Sequence, residues 1–197
     1  MNFKESKTKE NLMRAFAGEC QARTRYDFAA GIARGQKNYV VEGIFTFTAN
    51  QEKEHAEVFY NHLKNENSET VEITAGYPVN LSNDLCELLA AAVHNETEEY
   101  EDAYRSFGQT AKEEGFSEIA QSFLQIAEIE KSHAARFEKV LGLLREDKLF
   151  VSDVRCGWMC LNCGNVLESE EAPPVCPVCQ HERGYFIRLT LAPYTEG

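Results

Sequence analysis

The sequence predicts a mainly α protein, a four-helix bundle with one long crossover, followed by a small β/knuckle metal domain. Three observations carry that expectation. Helical apolar periodicity runs through two pairs of long segments, each pair joined by a short turn. A Glu-x-x-His step occurs once in each pair, Glu52-Lys53-Glu54-His55 and Glu130-Lys131-Ser132-His133. Four of the seven cysteines stand late in the chain in paired CxxC spacing.

The first helix is expected from Glu5 to about Arg34, with Leu12, Ala15, Phe16, Ala22, Tyr26 and Ala29 spaced by threes and fours and Glu19 in the middle of their stripe. Gly35-Gln36-Lys37-Asn38 supplies the turn. The second helix, about Tyr39 to Lys64, places Ile44, Phe45, Thr48, Phe59 and Leu63 beside Glu52 and His55. Periodicity is lost from Asn65 to Asn80, which contains Gly76 and Pro78, and this is the crossover. The third helix begins near Ser82 as N-cap and carries Leu85, Leu88, Leu89, Ala92, Glu96, Glu99, Ala103 and Phe107 along one side. Gly115 marks a turn, and the fourth helix, about Ser117 to Arg145, presents Phe123, Ile126, Glu130, His133, Phe137 and Leu141. The expected domains are residues 1–147 for the bundle, 148–153 for a linker and 154–197 for the small domain.

At 197 residues and 43% apolar content the chain can bury a substantial core. A net charge of −12 argues against a nucleic-acid partner, which favours a basic face. No apolar run approaches the ~18 residues of a membrane span, and no basic-then-apolar leader follows Met1. The expectation is a soluble, unexported, cytoplasmic protein whose cysteines serve thiolate metal binding rather than disulfides.

Residues three apart on a helix share a face, so each Glu-x-x-His step aims a carboxylate and an imidazole at one point. Glu19 lies 33 residues before Glu52, and Glu96 lies 34 before Glu130 with Glu99 one turn beyond it. The offset from Glu19 to Glu96 is 77 and from Glu52 to Glu130 is 78, so one helical hairpin is used twice. An inward Glu on two helices and Glu-x-x-His on the other two form the dinuclear carboxylate arrangement. Five buried acids each cost several kcal/mol to desolvate if left charged and unpaired. Two divalent cations offset that charge nearly completely, and a donor set of carboxylate and imidazole suits iron or manganese. Glu54, Glu57, Glu98, Glu101 and Glu128 fall off the apolar stripes and read as solvated residues.

Cys160-Leu161-Asn162-Cys163 and Cys176-Pro177-Val178-Cys179 form CxxC-x12-CxxC, two knuckles that complete a tetrahedral thiolate site. Iron and zinc both suit it, and Trp158, Tyr185 and Phe186 are its expected core. Cys20 and Cys86 read as packed helix residues. Cys156 is a possible competitor for the thiolate site. His62, His94 and His181 have no partner at ligand spacing.

These residues together resemble the rubrerythrin family, from about Lys7 to about Leu189: a ferritin-like bundle with Glu19, Glu52, His55, Glu96, Glu99, Glu130 and His133, then a rubredoxin-like module with Cys160, Cys163, Cys176 and Cys179. The resemblance implies two irons in the bundle and one iron in the four-cysteine site, with zinc a possible substitute. It implies that Glu52 and Glu130 bridge the irons, that Glu19 holds the first, and that Glu96 with His133 holds the second. The first iron is expected to exchange His55 when reduced for Glu99 when oxidised, with Tyr26 and Tyr104 hydrogen-bonding near the site. The implied activity is a peroxidase reducing hydrogen peroxide to water. That takes two electrons, which two ferrous ions hold. An external rubredoxin or flavin reductase is expected to supply them, in a head-to-tail homodimer or higher homo-oligomer. A ferroxidase or iron-storage protein and a binding protein with a structural zinc ribbon are the alternatives.

Overall fold

The computed structural model describes residues 2–193. The last four residues of the expected small domain therefore lie outside the described residues. Helix α1 spans Lys7–Gly35 and α2 spans Tyr39–His62. Ser6 caps α1, its Oγ accepting from the Lys9 amide at 3.1 Å. A second cap comes from far along the chain: Glu114 accepts from the amides of Lys7 (3.0 Å) and Thr8 (2.9 Å) and from the Thr8 hydroxyl (2.6 Å). The α1–α2 turn puts Lys37 in the left-handed region (φ 59°), and the Asn38 amide reaches back to the Ala33 carbonyl at 2.9 Å.

The third rod begins at Leu85, three residues later than Ser82. Asp84 is its N-cap, with Oδ1 accepting from Cys86 (2.7 Å) and Glu87 (3.2 Å), because a carboxylate complements the helix N-terminus better than a hydroxyl. Ser82 buttresses this cap, accepting from the Asp84 amide at 2.9 Å and donating to Glu87 at 2.6 Å. The rod is not uniform. Helix α3 (Leu85–Glu98) passes into a π turn (Glu99–Ala103) and then α4 (Tyr104–Glu113). A π turn accommodates one extra residue within a helix. That residue is the difference between the repeat offsets of 77 (Glu19 to Glu96) and 78 (Tyr26 to Tyr104). Helix α5 spans Ser117–Arg145 after Gly115, whose φ of +91° closes α4.

α1 packs chiefly on α2, and α3 and α4 on α5, so the bundle is two hairpins face to face. Its core is divided in two. Tyr26, Phe45 and Phe137 meet on one side with centroids 5.1–5.6 Å apart. Tyr104, Phe123 and Phe59 meet on the other at 4.9–6.1 Å. The two triads are the same triad, since Tyr26, Phe45 and Phe59 recur 78 residues on as Tyr104, Phe123 and Phe137. Between them lies a layer of buried acids. Cys86 packs partly buried against the first core, whereas Cys20 is exposed, contrary to the expectation of packing. It follows Glu19 directly and so stands about 100° around the helix from the buried stripe.

Strands β1 (Val151–Cys160), β2 (Val166–Glu171) and β3 (Phe186–Arg188) form an antiparallel sheet in the order β2-β1-β3 around Trp158 and Phe186. The segment 148–153 is a packed corner: Leu149 is buried in the bundle core and Arg188 donates to the Lys148 carbonyl at 2.7 Å. The small domain docks on the α1–α2 turn. Tyr185 stacks on Tyr39 with centroids 3.7 Å apart, and Ile187 joins the bundle core. Gly184 lies so close to that turn that a Cβ there would stand 1.8 Å from the Lys37 carbonyl oxygen.

Gly184→Ala should therefore lift the small domain from the turn, seen as faster amide exchange at Ile187 with the thiolate site intact; unchanged exchange would contradict this docking. Burial works to raise the Glu114 pKa, but the Thr8 hydroxyl and the Thr8 and Lys7 amides outweigh it and hold it below the usual carboxylate range. A depressed folded-state pKa gives stability above the unfolded-state value that is lost as pH falls through the folded one. Glu114→Gln should cost about 1 kcal/mol near neutrality, as for loss of an N-cap, and the gap to the parent should close in acid.

Candidate metal centre

Glu52 and His55 on α2, and Glu130 and His133 on α5, occur mid-helix inside the bundle, with Glu19 on α1 and Glu96 on α3 facing them. All six are buried. Their ligand atoms form two groups, Glu19-Glu52-His55-Glu130 and Glu52-Glu96-Glu130-His133, each within 4.8 Å. Glu52 and Glu130 belong to both. His55 Nδ1 lies 3.1 Å from Glu52, 2.9 Å from Glu130 and 3.8 Å from Glu19. His133 Nδ1 lies 2.8 Å from Glu130, 3.0 Å from Glu52 and 3.4 Å from Glu96.

The orphaned atoms show what this arrangement fits. Glu19 Oε2, Glu52 Oε1, Glu96 Oε2, both Glu130 oxygens and both His133 ring nitrogens are buried without a hydrogen-bond partner. Such atoms are costly unless something else satisfies them. Carboxylate and imidazole atoms converging on two points are the donor set of a pair of hard-to-intermediate divalent cations.

Without cations, protons must do that work. Burial, with Glu130, Glu52 and Glu99 nearby, raises Glu19 well above the carboxylate range; burial and Glu52 push Glu96 up to about 8. Burial also acts on Glu52, but the imidazoles of His133 and His55 beside it prevail and hold it down to about 2. Burial opposes charge on the histidines, yet the Glu130 and Glu52 carboxylates beside their ring nitrogens raise His55 to about 9 and His133 to about 12. Two tyrosines tie the layer across the bundle: Tyr104 donates to Glu19 at 2.6 Å, and Tyr26 donates to Glu96. The pairing is reciprocal, each tyrosine holding the carboxylate of the other hairpin.

Glu99 stands apart. It opens the π turn, is half-buried, and belongs to neither group. Burial and the neighbouring Glu96, Glu130 and Glu52 raise its pKa well above the usual range. It lines a cavity of about 300 Å³ together with Tyr104, Ala103 and Phe107. Sequence reasoning missed the residues that brace this region. Arg136, three after His133, donates to Thr48 Oγ1 and Gln51 Oε1, both at 2.9 Å. Asn95, beside Glu96, is buried and donates to Asn80 at 2.9 Å. A polar residue close to a ligand on the same helix was the available sign of each.

The four cysteines come together as their spacing predicts. Cys160 and Cys179 Sγ are 3.7 Å apart, as are Cys163 and Cys176, and all four lie within 4.8 Å. A tetrahedron of about 2.3 Å metal–sulfur bonds has edges of nearly this length. The two knuckles repeat one geometry: Cys160 and Cys176 amides donate to Asn165 and His181 carbonyls, and left-handed Gly164 and Gln180 follow the second cysteine of each. The His181 amide draws the Cys179 thiol down to about 6, while burial pushes Cys160 up to about 12. Cys156 lies outside the group, paired with Ser169 across β1 and β2. His62 is bonded to Ser122 at 2.9 Å, away from either site.

Fold and sites define a ferritin-like dinuclear carboxylate bundle carrying its own rubredoxin-like thiolate iron domain. The chain belongs to the rubrerythrin family, whose profile matches residues 10–141, with the rubrerythrin rubredoxin-like domain at 158–187. It is similar to rubrerythrin of Clostridium perfringens, 45% identical over 94% of this chain and 95% of that one. Rubrerythrin of Porphyromonas gingivalis is 42% identical over 94% and 91%. Among solved structures, fully reduced, all-ferrous nigerythrin superposes with a TM-score of 0.63 at 26% identity, over 94% of this chain and 91% of that one. The cofactors are accordingly two irons in the bundle and one at the four cysteines. No helix among the described residues is long and apolar enough to cross a membrane.

Removing the metals should reverse the usual pH dependence. Carboxyls with raised folded-state pKa values, and histidines likewise raised, both stabilise the fold below their unfolded-state values and lose that contribution as pH rises toward the folded ones. The metal-free protein should lose melting temperature steadily from about pH 5 to pH 8 while the iron-loaded protein does not. A metal-free form equally stable across that window would contradict the assignment of protons to the acid layer.

Proposed function

We propose that this chain is a non-haem diiron peroxidase that reduces hydrogen peroxide to water, with electrons relayed through the iron of the four-cysteine site. The observation that carries the reading is Glu99: an acid beside two complete four-residue groups, belonging to neither, facing a cavity. In this reading Glu19, Glu52, His55 and Glu130 would hold one iron, and Glu52, Glu96, Glu130 and His133 would hold the other. Glu99 would offer an anionic ligand suited to the ferric charge, whereas the neutral imidazole of His55 would suit the ferrous one. When bound, the irons would supply the two electrons of the reduction, and an iron at the four cysteines would return them one at a time.

The side chains supply the rest. Forming two waters from hydrogen peroxide consumes two protons; Glu99, its carboxyl kept protonated by burial among acids, can release one at the cavity wall, and solvent supplies the other. Tyr104 and Tyr26 hold Glu19 and Glu96 in place while that charge changes. Tyr185 stacks on Tyr39, thirteen residues before Glu52, which places the small domain about 20 Å along α2 from the acid layer. Rapid transfer across that span favours a head-to-tail homodimer, the thiolate site of one copy approaching the bundle of its partner. A rubredoxin or flavin reductase serves as external donor.

The test is to reduce the protein anaerobically and mix it with stoichiometric hydrogen peroxide, or with oxygen, following the ferric-thiolate colour. Colour should return at least about tenfold faster with peroxide, and Glu99→Ala should slow that return about tenfold or more with iron content unchanged. Equal rates with both oxidants would favour the ferroxidase reading, and absence of colour would favour a zinc ribbon.

A further inference from the structure

The crossover does not simply connect the hairpins. Its hydrogen bonds follow α1 lengthwise: Arg14 Nε donates to the Thr74 carbonyl (3.1 Å), Tyr77 donates to the Arg14 carbonyl (2.9 Å), Arg25 Nη1 donates to Asn80 Oδ1 (3.1 Å), and Gln36 Nε2 donates to the Asn83 carbonyl (2.6 Å). Asn80 Oδ1 also accepts from Asn95 on α3, so one side chain clasps α1 to α3. Residues 74–83 thus form a strap along the seam between the helices that carry Glu19 and Glu96. Beneath it lies the cavity that Glu99 and Tyr104 line, and the strap's Ala75–Pro78 form its outer wall.

We propose that Tyr77 of this strap sets the size of hydroperoxide that reaches the dinuclear centre. The inference rests on the peroxidase reading above and deepens it. Tyr77 is 40% exposed and forms part of the cavity wall. It is seated over Gly18, where a Cβ would stand 3.7 Å from the ring, and its hydroxyl is tied to α1 by a single hydrogen bond. At about 300 Å³ the cavity is far roomier than hydrogen peroxide requires, since a water occupies about 30 Å³ of liquid. An engineered apolar cavity of about 150 Å³ holds a benzene. The interior thus has room for organic hydroperoxides as well, and discrimination falls at the Tyr77 wall, which hydrogen peroxide passes and where a bulky aryl hydroperoxide meets the ring. Anchors at Thr74 and Asn80 on either side hold the strap, so the ring rather than the backbone is the restriction.

Two substitutions move the limit in opposite directions. Tyr77→Ala removes the ring, and Gly18→Leu fills the space beneath it. Tyr77→Phe keeps the ring and loses only the hydrogen bond to Arg14. The readouts are kcat/KM for hydrogen peroxide, tert-butyl hydroperoxide and cumene hydroperoxide, and spectral titration of the diferric protein with azide and with benzoate, which needs no turnover. Tyr77→Ala should raise the cumene-to-hydrogen-peroxide ratio and the benzoate-to-azide affinity ratio by about tenfold or more, the scale on which apolar pockets discriminate. Gly18→Leu should lower both, and Tyr77→Phe should leave both within about twofold. Ratios that stay at the parent value in Tyr77→Ala and Gly18→Leu would overturn the proposal. If the benzoate ratio moves as expected while the parent protein fails to turn over hydrogen peroxide, Tyr77 stands as the gate and the peroxidase reading falls.

Discussion

A layer of carboxylates across the middle of an apolar bundle is the constraint on which this structure depends. Glu19, Glu52, Glu96 and Glu130 are at most 1% exposed, and among the described residues no lysine or arginine is buried with them. Burial at that depth is tolerable only if the charge is cancelled, by protons or by metal. The rest of the bundle is arranged around that demand. Its apolar core is divided into two aromatic triads that seal the layer from either side, and each triad contributes the tyrosine that orients the opposite hairpin's terminal carboxylate. Packing and chemistry meet in those two tyrosines, which belong to the core by burial and to the site by hydrogen bonding.

The internal repeat makes the departures from it informative. Glu-x-x-His, the tyrosines and the phenylalanine triads recur at 78 residues, but the first carboxylates recur at 77. The π turn at Glu99–Ala103 absorbs the difference, and it begins at Glu99, whose place in the first hairpin is taken by Ala22. A helix accepts such a turn at a cost in regular hydrogen bonding. Glu99 there stands near both ligand groups, belongs to neither, and lines the cavity instead.

Much of this is legible in the sequence because helical spacing is local. The three-residue separation of Glu52 from His55 and of Glu130 from His133 states their common face directly, and the CxxC pairs state the knuckles. The 77-to-78 mismatch is equally visible, although its meaning as a π turn requires the backbone. Other features depend on contacts distant in sequence and leave no local mark. Asp84 displaces Ser82 as cap because its charge answers the helix end. Glu114 caps a helix more than a hundred residues earlier. Gly184 is small because Lys37 lies against it, and the path of the strap over α1 follows from Asn80, a residue whose type alone does not distinguish a clasp from a loop. Cys20 reads as packed by its apolar character, but its position one residue past Glu19 turns it to solvent.

The central claim is that protons hold the acid layer when metal is absent and that iron replaces them. Anaerobic calorimetric titration of the metal-free protein with ferrous iron at pH 7, repeated in buffers of different ionisation enthalpy, measures that exchange directly. The account predicts two irons bound in the bundle with release of about two or more protons, beyond the iron taken by the four cysteines. A single bundle iron, or binding without proton release, would contradict it.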